Sequence, residues 1–280
     1  MTGALNPAPE TTFWHPESFS GLELERVQGA AQPLAPQLLS DHCLSLCVRG
    51  PATARYQSVA HTLQDTAFGS YAAGGTFSAA PLLGGSWSYQ TLRLSPELMA
   101  NLADAAGQAL TPTAPIPVSS AANRQLGGLF REAFSSFEEN APSSVQEEKL
   151  VTLTRTLLNY QAQSASLVRV TPRAEAAVEK VRAYLDETLH SPVSLEQVAD
   201  HAQMSKFHLS KLFKHVVGLS PHAYGMSLRV HEAKRALKRL EPLAHIAFDL
   251  GFSDQAHFTR TFKRYVGMTP GQYQAGSVTA

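Results

Sequence analysis

Two short basic stretches in the second half of the chain carry the residues best suited to contact a nucleic acid. At about 100° per residue, each stretch predicts a helix whose outward face is mostly cationic or able to form hydrogen bonds. Such a face suits phosphate oxygens and the edges of bases in a major groove. The outward residues are Lys206, Phe207, Ser210, Lys211 and Lys214 in the first stretch, and Gln255, Ala256, Thr259, Arg260 and Lys263 in the second.

The two stretches belong to an internal repeat formed by residues 195–224 and 243–273. In each copy, a first helix with an apolar stripe at i, i+3, i+4 and i+7 precedes a three-residue turn and a second helix. This order is typical of a helix-turn-helix unit. One copy alone fits an ordinary solvated surface equally well. Two copies with matching outward stripes favour a pair of DNA-reading units.

Residues 173–273 resemble the DNA-binding domain of the AraC/XylS transcription regulators, in which a long helix joins two helix-turn-helix units. The match runs through Ile246-Ala247, Gly251-Phe252-Ser253, the segment Phe258-Thr259-Arg260-Thr261-Phe262-Lys263-Arg264, Gly267 and Thr269-Pro270. Two positions depart from the family pattern: Lys211 stands where arginine is common, and Gln203 replaces a turn glycine. The resemblance implies a sequence-specific regulator that binds double-stranded DNA through units at residues 195–215 and 243–265.

The first half has a different pattern. Short alternating runs between residues 13 and 95, separated by glycine and proline, predict a small β-barrel or sandwich. Two helices with apolar stripes follow at residues 119–139 and 144–163. Many AraC/XylS regulators have a cupin-like barrel followed by dimerisation helices, so the resemblance implies an α+β chain of two domains. We expect a mobile arm (1–12), a cupin-like effector-binding and dimerisation domain (13–163), a linker (164–172) and a DNA-binding domain (173–280).

The predicted barrel contains aromatic and polar residues that are candidates for an effector pocket, because such pockets combine aromatic walls with a few polar groups. These candidates are Trp14, His15, Arg55, Tyr56, Tyr71, Trp87 and Tyr89. Packing in the barrel core is the competing interpretation. The resemblance implies that the ligand is a small organic effector.

Histidines and cysteines of the first half offer two further kinds of chemistry. His15, Glu17, His42 and His61 lack the closely spaced histidine pair of a metal cupin, so we expect no metal and no cofactor. On the predicted strand 42–48, Cys43 and Cys47 share one face. Buried structural thiols are the favoured interpretation, and redox sensing or methyl transfer is the alternative.

Composition narrows the class of protein. The 280 residues are 44% hydrophobic and 16% charged, with 23 basic and 23 acidic side chains. Residues 1–173 hold 10 basic against 13 acidic side chains, and residues 174–280 hold 13 against 10. Without a signal peptide pattern or an apolar run of about 18 residues, the sequence predicts a soluble cytoplasmic protein.

The sequence contains no nucleophile elbow, phosphate-binding glycine loop or HExxH motif, so we expect no enzymatic activity. The expected partners are DNA, an effector and a second copy of the chain, with RNA polymerase as a further candidate. Two alternatives from other classes are a cupin-type enzyme and a protein-interaction module, each with the helical half as an accessory domain.

Overall fold

The computed structural model describes residues 10–57, 59–82, 85–110, 121–164, 172–191 and 193–276. Within these ranges the chain forms nine strands followed by ten helices. The strands are β1 (Glu10–Trp14), β2 (Leu22–Ala30), β3 (Leu34–Leu38), β4 (His42–Arg49), β5 (Ala52–Tyr56), β6 (Val59–Leu63), β7 (Phe68–Tyr71), β8 (Thr76–Pro81) and β9 (Trp87–Leu94).

All strand pairs are antiparallel and form two sheets, β1-β2-β9-β4-β7 and β3-β8-β5-β6. The sheets share a core, in which Val27, Cys47 and Tyr89 of one sheet pack with Ala54 and Ala79 of the other. The β-rich first half of the α+β fold is therefore confirmed. The described strands pair as two sheets and not as one closed cylinder.

The predicted arm (1–12) extends too far along the chain, because β1 begins at Glu10. Residues 1–9 of the arm lie outside the described residues, whereas residues 10–12 begin β1 because they pair with β2, from Glu10 opposite Gln28 onwards. Of the predicted linker, residues 165–171 also lie outside the described residues.

Three helices cover the outer side of the five-stranded sheet: α1 (Pro96–Ala105), α2 (Ala121–Glu138) and α3 (Ser143–Ser164). Their apolar stripes are buried within the chain, where Phe130 and Leu157 pack in one cluster with Leu46 and Leu92 of the sheet. The apolar stripes of the two helices expected to mediate dimerisation thus form part of the core of the first-half domain, which we call the sensor domain (residues 10–164) after its expected effector-binding role.

The second half is entirely helical in its described part: α4 (Pro172–Glu187), α5 (Leu195–His201), α6 (Lys206–Val217), α7 (Pro221–Lys238), α8 (Leu243–Asp249), α9 (Gln255–Val266) and α10 (Pro270–Gly276). Two clusters hold this half together, one centred on Phe213 of α6 and the other on Phe258 and Phe262 of α9. The connecting helix α7 has 18 residues and ends at Lys238. Among the helices described, none is long and apolar enough to cross a membrane.

Candidate DNA interface and sensor cavity

The second helix of each repeat has well-defined ends. At its start, α6 follows Ser205, whose hydroxyl accepts a 3.3 Å hydrogen bond from the His208 backbone N–H. At the start of α9, the Asp254 carboxylate accepts a 2.6 Å hydrogen bond from the His257 backbone N–H. Such caps satisfy backbone donors that a helix leaves unpaired. Both helices end at a left-handed glycine, Gly218 or Gly267, which stops the helix at the same point in the two copies.

The two helices bury one face and expose the other, as their periodicity predicts. Leu209 and Phe213 of α6 and Phe258 and Phe262 of α9 are buried. Eight of the predicted DNA contacts are exposed, and the side chains of Ser210 and Thr259 are half-buried. The exposed eight are Lys206, Phe207, Lys211, Lys214, Gln255, Ala256, Arg260 and Lys263. Phe207 is 79% exposed, so packing within the described part of the chain does not explain an aromatic ring at this position.

Most cations on these faces are available for a ligand. Lys206 is the exception, because its ammonium group lies 2.5 Å from the Glu196 carboxylate of α5. Lys211, Lys214, Arg260 and Lys263 have no ion-pair partner among the described residues. The Thr259 hydroxyl donates to the Gln255 carbonyl at 2.8 Å, which leaves its oxygen free to accept.

The turns of the two units have the same backbone conformation. Gly251 has a φ of 66°, and Gln203, which stands in its place in the first unit, has a φ of 54°. A non-glycine residue in this left-handed region is strained. The departure from the family pattern at Gln203 therefore changes the side chain of the turn and keeps the shape of the unit.

An internal cavity lies between the two sheets of the sensor domain. It is lined largely by apolar side chains and by Tyr71, Trp87 and Tyr89, three of the predicted effector residues. Its free volume of about 30 Å³ is room for about two water molecules.

The other four predicted effector residues do not line this cavity. Trp14 packs edge-on against Phe134 of α2, and Arg55 is exposed. Tyr56 is buried beside the cavity, with its hydroxyl bonded to the backbone of Ala72. His15 lies against Glu23 and Tyr273 at the boundary with the DNA-binding domain.

Sequence reasoning missed the polar wall of the cavity, formed by Gln37, Ser45, Thr91 and Arg93. The signal was present as strand alternation, since Thr91 and Arg93 follow Trp87 and Tyr89 at every second position of β9. The partly buried Arg93 guanidinium lies 2.7 Å from the Glu25 carboxylate. By contrast, the indole N–H of Trp87 is buried with no hydrogen-bond acceptor in the described structure.

Cys43 and Cys47 also line the cavity, as their predicted common face requires. Burial raises the pKa of each thiol to about 11. Both thiols are therefore protonated at neutral pH, a state that disfavours redox chemistry. No group of three or more potential metal ligands occurs in the ranges that the structure describes.

The sensor and DNA-binding domains meet around the buried carboxylate of Glu23 on β2. From α7, Lys234 approaches this carboxylate at 3.0 Å and Lys238 at 3.5 Å. Arg93 of β9 lies at 3.3 Å, and the Tyr273 hydroxyl of α10 donates at 2.6 Å. Although burial would raise the pKa of Glu23, the lysines and Arg93 outweigh it and hold the pKa well below its usual range.

Strand β3 forms a second junction between the domains. Leu38 packs against the apolar cluster of the first helix-turn-helix unit, and its backbone N–H donates to the Ser227 hydroxyl of α7 at 3.1 Å. Its neighbours Gln37 and Leu39 line the sensor cavity. One short segment thus contacts both the cavity and the DNA-binding domain.

Known proteins match both halves of this architecture. Residues 198–276 match the family described as "Helix-turn-helix domain". The chain is 35% identical to the multiple antibiotic resistance protein MarA of Escherichia coli over 98 residues, which cover 35% of this chain and 77% of MarA. It is 37% identical to the transcriptional regulator Rob of Salmonella typhimurium over 95 residues, 34% of this chain and 33% of Rob.

Among solved structures, the whole chain is similar to ToxT of Vibrio cholerae, with a TM-score of 0.57 and 14% identity. That similarity covers 98% of this chain and 99% of ToxT, so it extends the likeness of fold to the sensor domain. Sequence identity over most of MarA, together with the paired units, their capped second helices and their exposed basic faces, leads to one conclusion. The chain belongs to the AraC/XylS family of DNA-binding transcription regulators.

Proposed function

We propose that this regulator reads one asymmetric DNA site with both α6 and α9, and that its sensor domain binds a small organic effector. The observation that carries the first part is the pair of matching exposed faces. Each presents two cations without an ion-pair partner in the described chain, Lys211 and Lys214 on α6 and Arg260 and Lys263 on α9.

The side chains suggest a division of roles on DNA. Arg260 has the forked donors that recognise guanine O6 and N7 together, whereas Lys211 at the matching position can offer only a point charge. Lys214 and Lys263, one turn further along, are placed for phosphate contacts. Phe207 and Ala256 supply apolar surface of the kind that contacts thymine methyl groups.

The length of α7 supports simultaneous reading. Its 18 residues span about 27 Å at 1.5 Å each, against about 34 Å for one turn of B-DNA. A gel shift over a range of salt concentrations, with DNA from upstream of the gene that encodes this chain, tests the proposed DNA binding. We expect sequence-specific binding that weakens as salt rises, and absence of specific binding at low salt would overturn the proposal.

For the effector, the unpaired indole N–H of Trp87 is the main support. A buried donor without an acceptor costs free energy, which a ligand could recover. The mostly apolar lining and this unpaired indole donor favour a small apolar compound with a hydrogen-bond acceptor. Because the free volume is about 30 Å³, the compound must displace lining side chains as it enters. ToxT, which shares the fold, has been solved with an unsaturated fatty acid bound.

The proposed effect of the ligand on DNA binding has two routes. Movement of Gln37 or Leu39 would shift Leu38 against the first helix-turn-helix unit. Movement of Arg93, which lines the cavity and touches Glu23, would alter the charge cluster beside α7. In this proposal the sensor domain is a binding domain and has no catalytic role.

A screen of small molecules for a change in the melting temperature of the full chain tests the effector. Trp87→Phe should weaken binding of a hit by about two- to tenfold, the worth of one hydrogen bond. Trp14→Phe, which changes a tryptophan outside the cavity, is the matched control. A hit must also bind with a different affinity when DNA is present, and equal affinities would overturn the coupling.

A further inference from the structure

We propose that Arg229 is a positioning residue that sets the spacing at which the two helix-turn-helix units meet DNA. It lies on α7, the helix that joins the units, and only 8% of its surface is exposed. The inference rests on the proposed reading of DNA by both α6 and α9. It concerns the joint between the units and none of the side chains that face DNA.

The guanidinium of Arg229 connects three parts of the backbone. Its Nε donates to the Leu189 carbonyl at 3.1 Å, and its Nη2 donates to the Ser191 carbonyl at 2.7 Å. Both carbonyls lie between α4 and α5, just before the first unit. Its Nη1 donates to the Gly251 carbonyl at 3.4 Å, in the turn of the second unit. One side chain on α7 therefore holds together the segment that leads into the first unit and the turn of the second unit.

These contacts require the geometry of arginine. Its planar group has five donors in a fixed fork, so it can hold several carbonyls at set angles. No carboxylate lies within 4 Å of the Arg229 guanidinium in the described part of the chain. Burial also lowers the pKa of Arg229, so the charge is buried without an ion pair to offset its desolvation. An arginine in this setting is better explained by the carbonyls that it holds in place.

A second contact supports the same joint. The Nδ1 atom of His190 lies 2.9 Å from the Asp249 carbonyl at the end of α8, so in the tautomer with a proton on Nδ1 the ring donates to it. At Gly251, with a φ of 66°, an added Cβ atom would lie 3.2 Å from the His190 carbonyl. The segments 189–191 and 249–251 are thus in close contact, and Arg229 lies against both.

The joint lies directly before the DNA-reading elements. The first unit begins a few residues after Ser191, and α9 begins four residues after Gly251. A rotation at the joint therefore changes the distance between Lys211 and Arg260 without changing either face. Loss of Arg229 should relax the preferred distance between the two bound DNA segments while the base preference of each unit is kept.

Selection from a pool of duplexes with a 40-base-pair random segment tests the proposal. The full-length wild type is compared with Arg229→Gln and with Arg235→Gln. The control loses the same charge from the same helix, at a side chain that is 62% exposed. Wild type and control should enrich two segments about 10 base pairs apart, centre to centre. Arg229→Gln should enrich the same two segments over a range of spacings. Its discrimination against sites whose spacing differs by one base pair should fall about tenfold.

A spacing distribution as narrow as that of wild type, in an Arg229→Gln protein that melts cooperatively, would overturn the inference. If Arg229→Gln does not fold, His190→Ala is tested in its place. His190 is exposed, and its substitution removes only the contact with the Asp249 carbonyl. Broadening of the spacing in His190→Ala then supports the joint, and an unchanged spacing overturns it. If wild type enriches one segment only, the reading of DNA by both helices fails, and the inference about Arg229 fails with it.

Discussion

Tyr273 donates a 2.6 Å hydrogen bond to the carboxylate of Glu23, from a position 250 residues later in the sequence. The bond joins the last helix of the DNA-binding domain to the second strand of the sensor domain. Lys234 contacts both residues of this pair. Its ammonium group lies 3.0 Å from the Glu23 carboxylate and 5.2 Å from the centre of the Tyr273 ring. A buried charge cluster therefore links the domains in addition to apolar contacts.

Protonation of Glu23 should weaken this junction at low pH. The pKa of Glu23 is depressed relative to its ordinary value of 4.5, since Lys234, Lys238 and Arg93 together outweigh the effect of burial. The stability that its charge contributes is therefore fully present above about pH 4.5 and is lost as the pH falls towards the folded-state pKa. We expect Glu23→Gln to lower the free energy of unfolding by about 3 kcal/mol at neutral pH.

Urea denaturation at several pH values measures this difference. The gap between wild type and Glu23→Gln should narrow as the pH falls from about 5 to about 2. Glu17→Gln, which removes an exposed carboxylate of the same domain, should leave stability nearly unchanged. Wild-type and Glu23→Gln curves that stay parallel across this range would show that the charge of Glu23 does not hold the junction.

Arg260 and Lys263 should respond differently to alanine substitution. Arg260→Ala is expected to cost about 1–3 kcal/mol of binding free energy and to relax the preference at one or two base pairs. Lys263→Ala should weaken binding to all sequences alike and reduce the salt slope by about one unit. Titrations of a specific and a scrambled duplex at several salt concentrations separate these effects. Equal losses on both duplexes for Arg260→Ala would contradict its proposed contact with a base.

Cys43 and Cys47 should be unreactive in the folded protein. Because burial raises both pKa values to about 11, very little thiolate exists at neutral pH. Iodoacetamide at pH 7.5 should modify neither thiol within the time that fully labels the protein in urea. Peptide mass spectrometry reads out each site. Rapid modification of either cysteine in the native protein would favour the redox or methyl-transfer interpretation.

The chain is expected to form a dimer through one or both of α2 and α3. Since their apolar stripes pack inside the sensor domain, the interface must use the outward polar faces, which include Arg124 and Arg131. Sedimentation of the full chain should show a dimer at tens of micromolar. Arg131→Glu should weaken it, whereas Arg49→Glu, an exposed change on β4, should not. A monomer at this concentration would show that the prediction of a dimer is wrong.

The helix-turn-helix units were predictable because the signals that form them are local. Ser205 caps α6 through a residue three positions away, and Gly218 and Gly267 end the two recognition helices at equivalent places. The apolar periodicity of each helix also fixes which face is outward. Sequence reasoning therefore placed Lys211 and Arg260 on exposed faces correctly, and only their contacts with DNA remain to be measured.

The sensor cavity was less predictable because its lining depends on strand register and on distant contacts. Arg55 and Tyr56 are neighbours on β5, yet the arginine points to solvent and the tyrosine is buried. Trp14 packs against Phe134 and His15 against Tyr273, and neither lines the cavity. Alternation along β9 places Thr91 and Arg93 on the same face as Trp87 and Tyr89, but the sequence alone does not show that Gln37 and Ser45 of other strands meet this face.

Methylation protection of guanine N7 on a selected duplex tests the central claim, that both recognition helices read DNA together. Guanine N7 faces the major groove, where α6 and α9 are proposed to lie. If both helices bind together, guanines should be protected in two successive major grooves on one side of the duplex, about 10 base pairs apart. Arg260→Ala should remove protection in one groove, and Lys211→Ala should weaken it in the other. Protection confined to a single groove, or unchanged by both substitutions, would contradict the account.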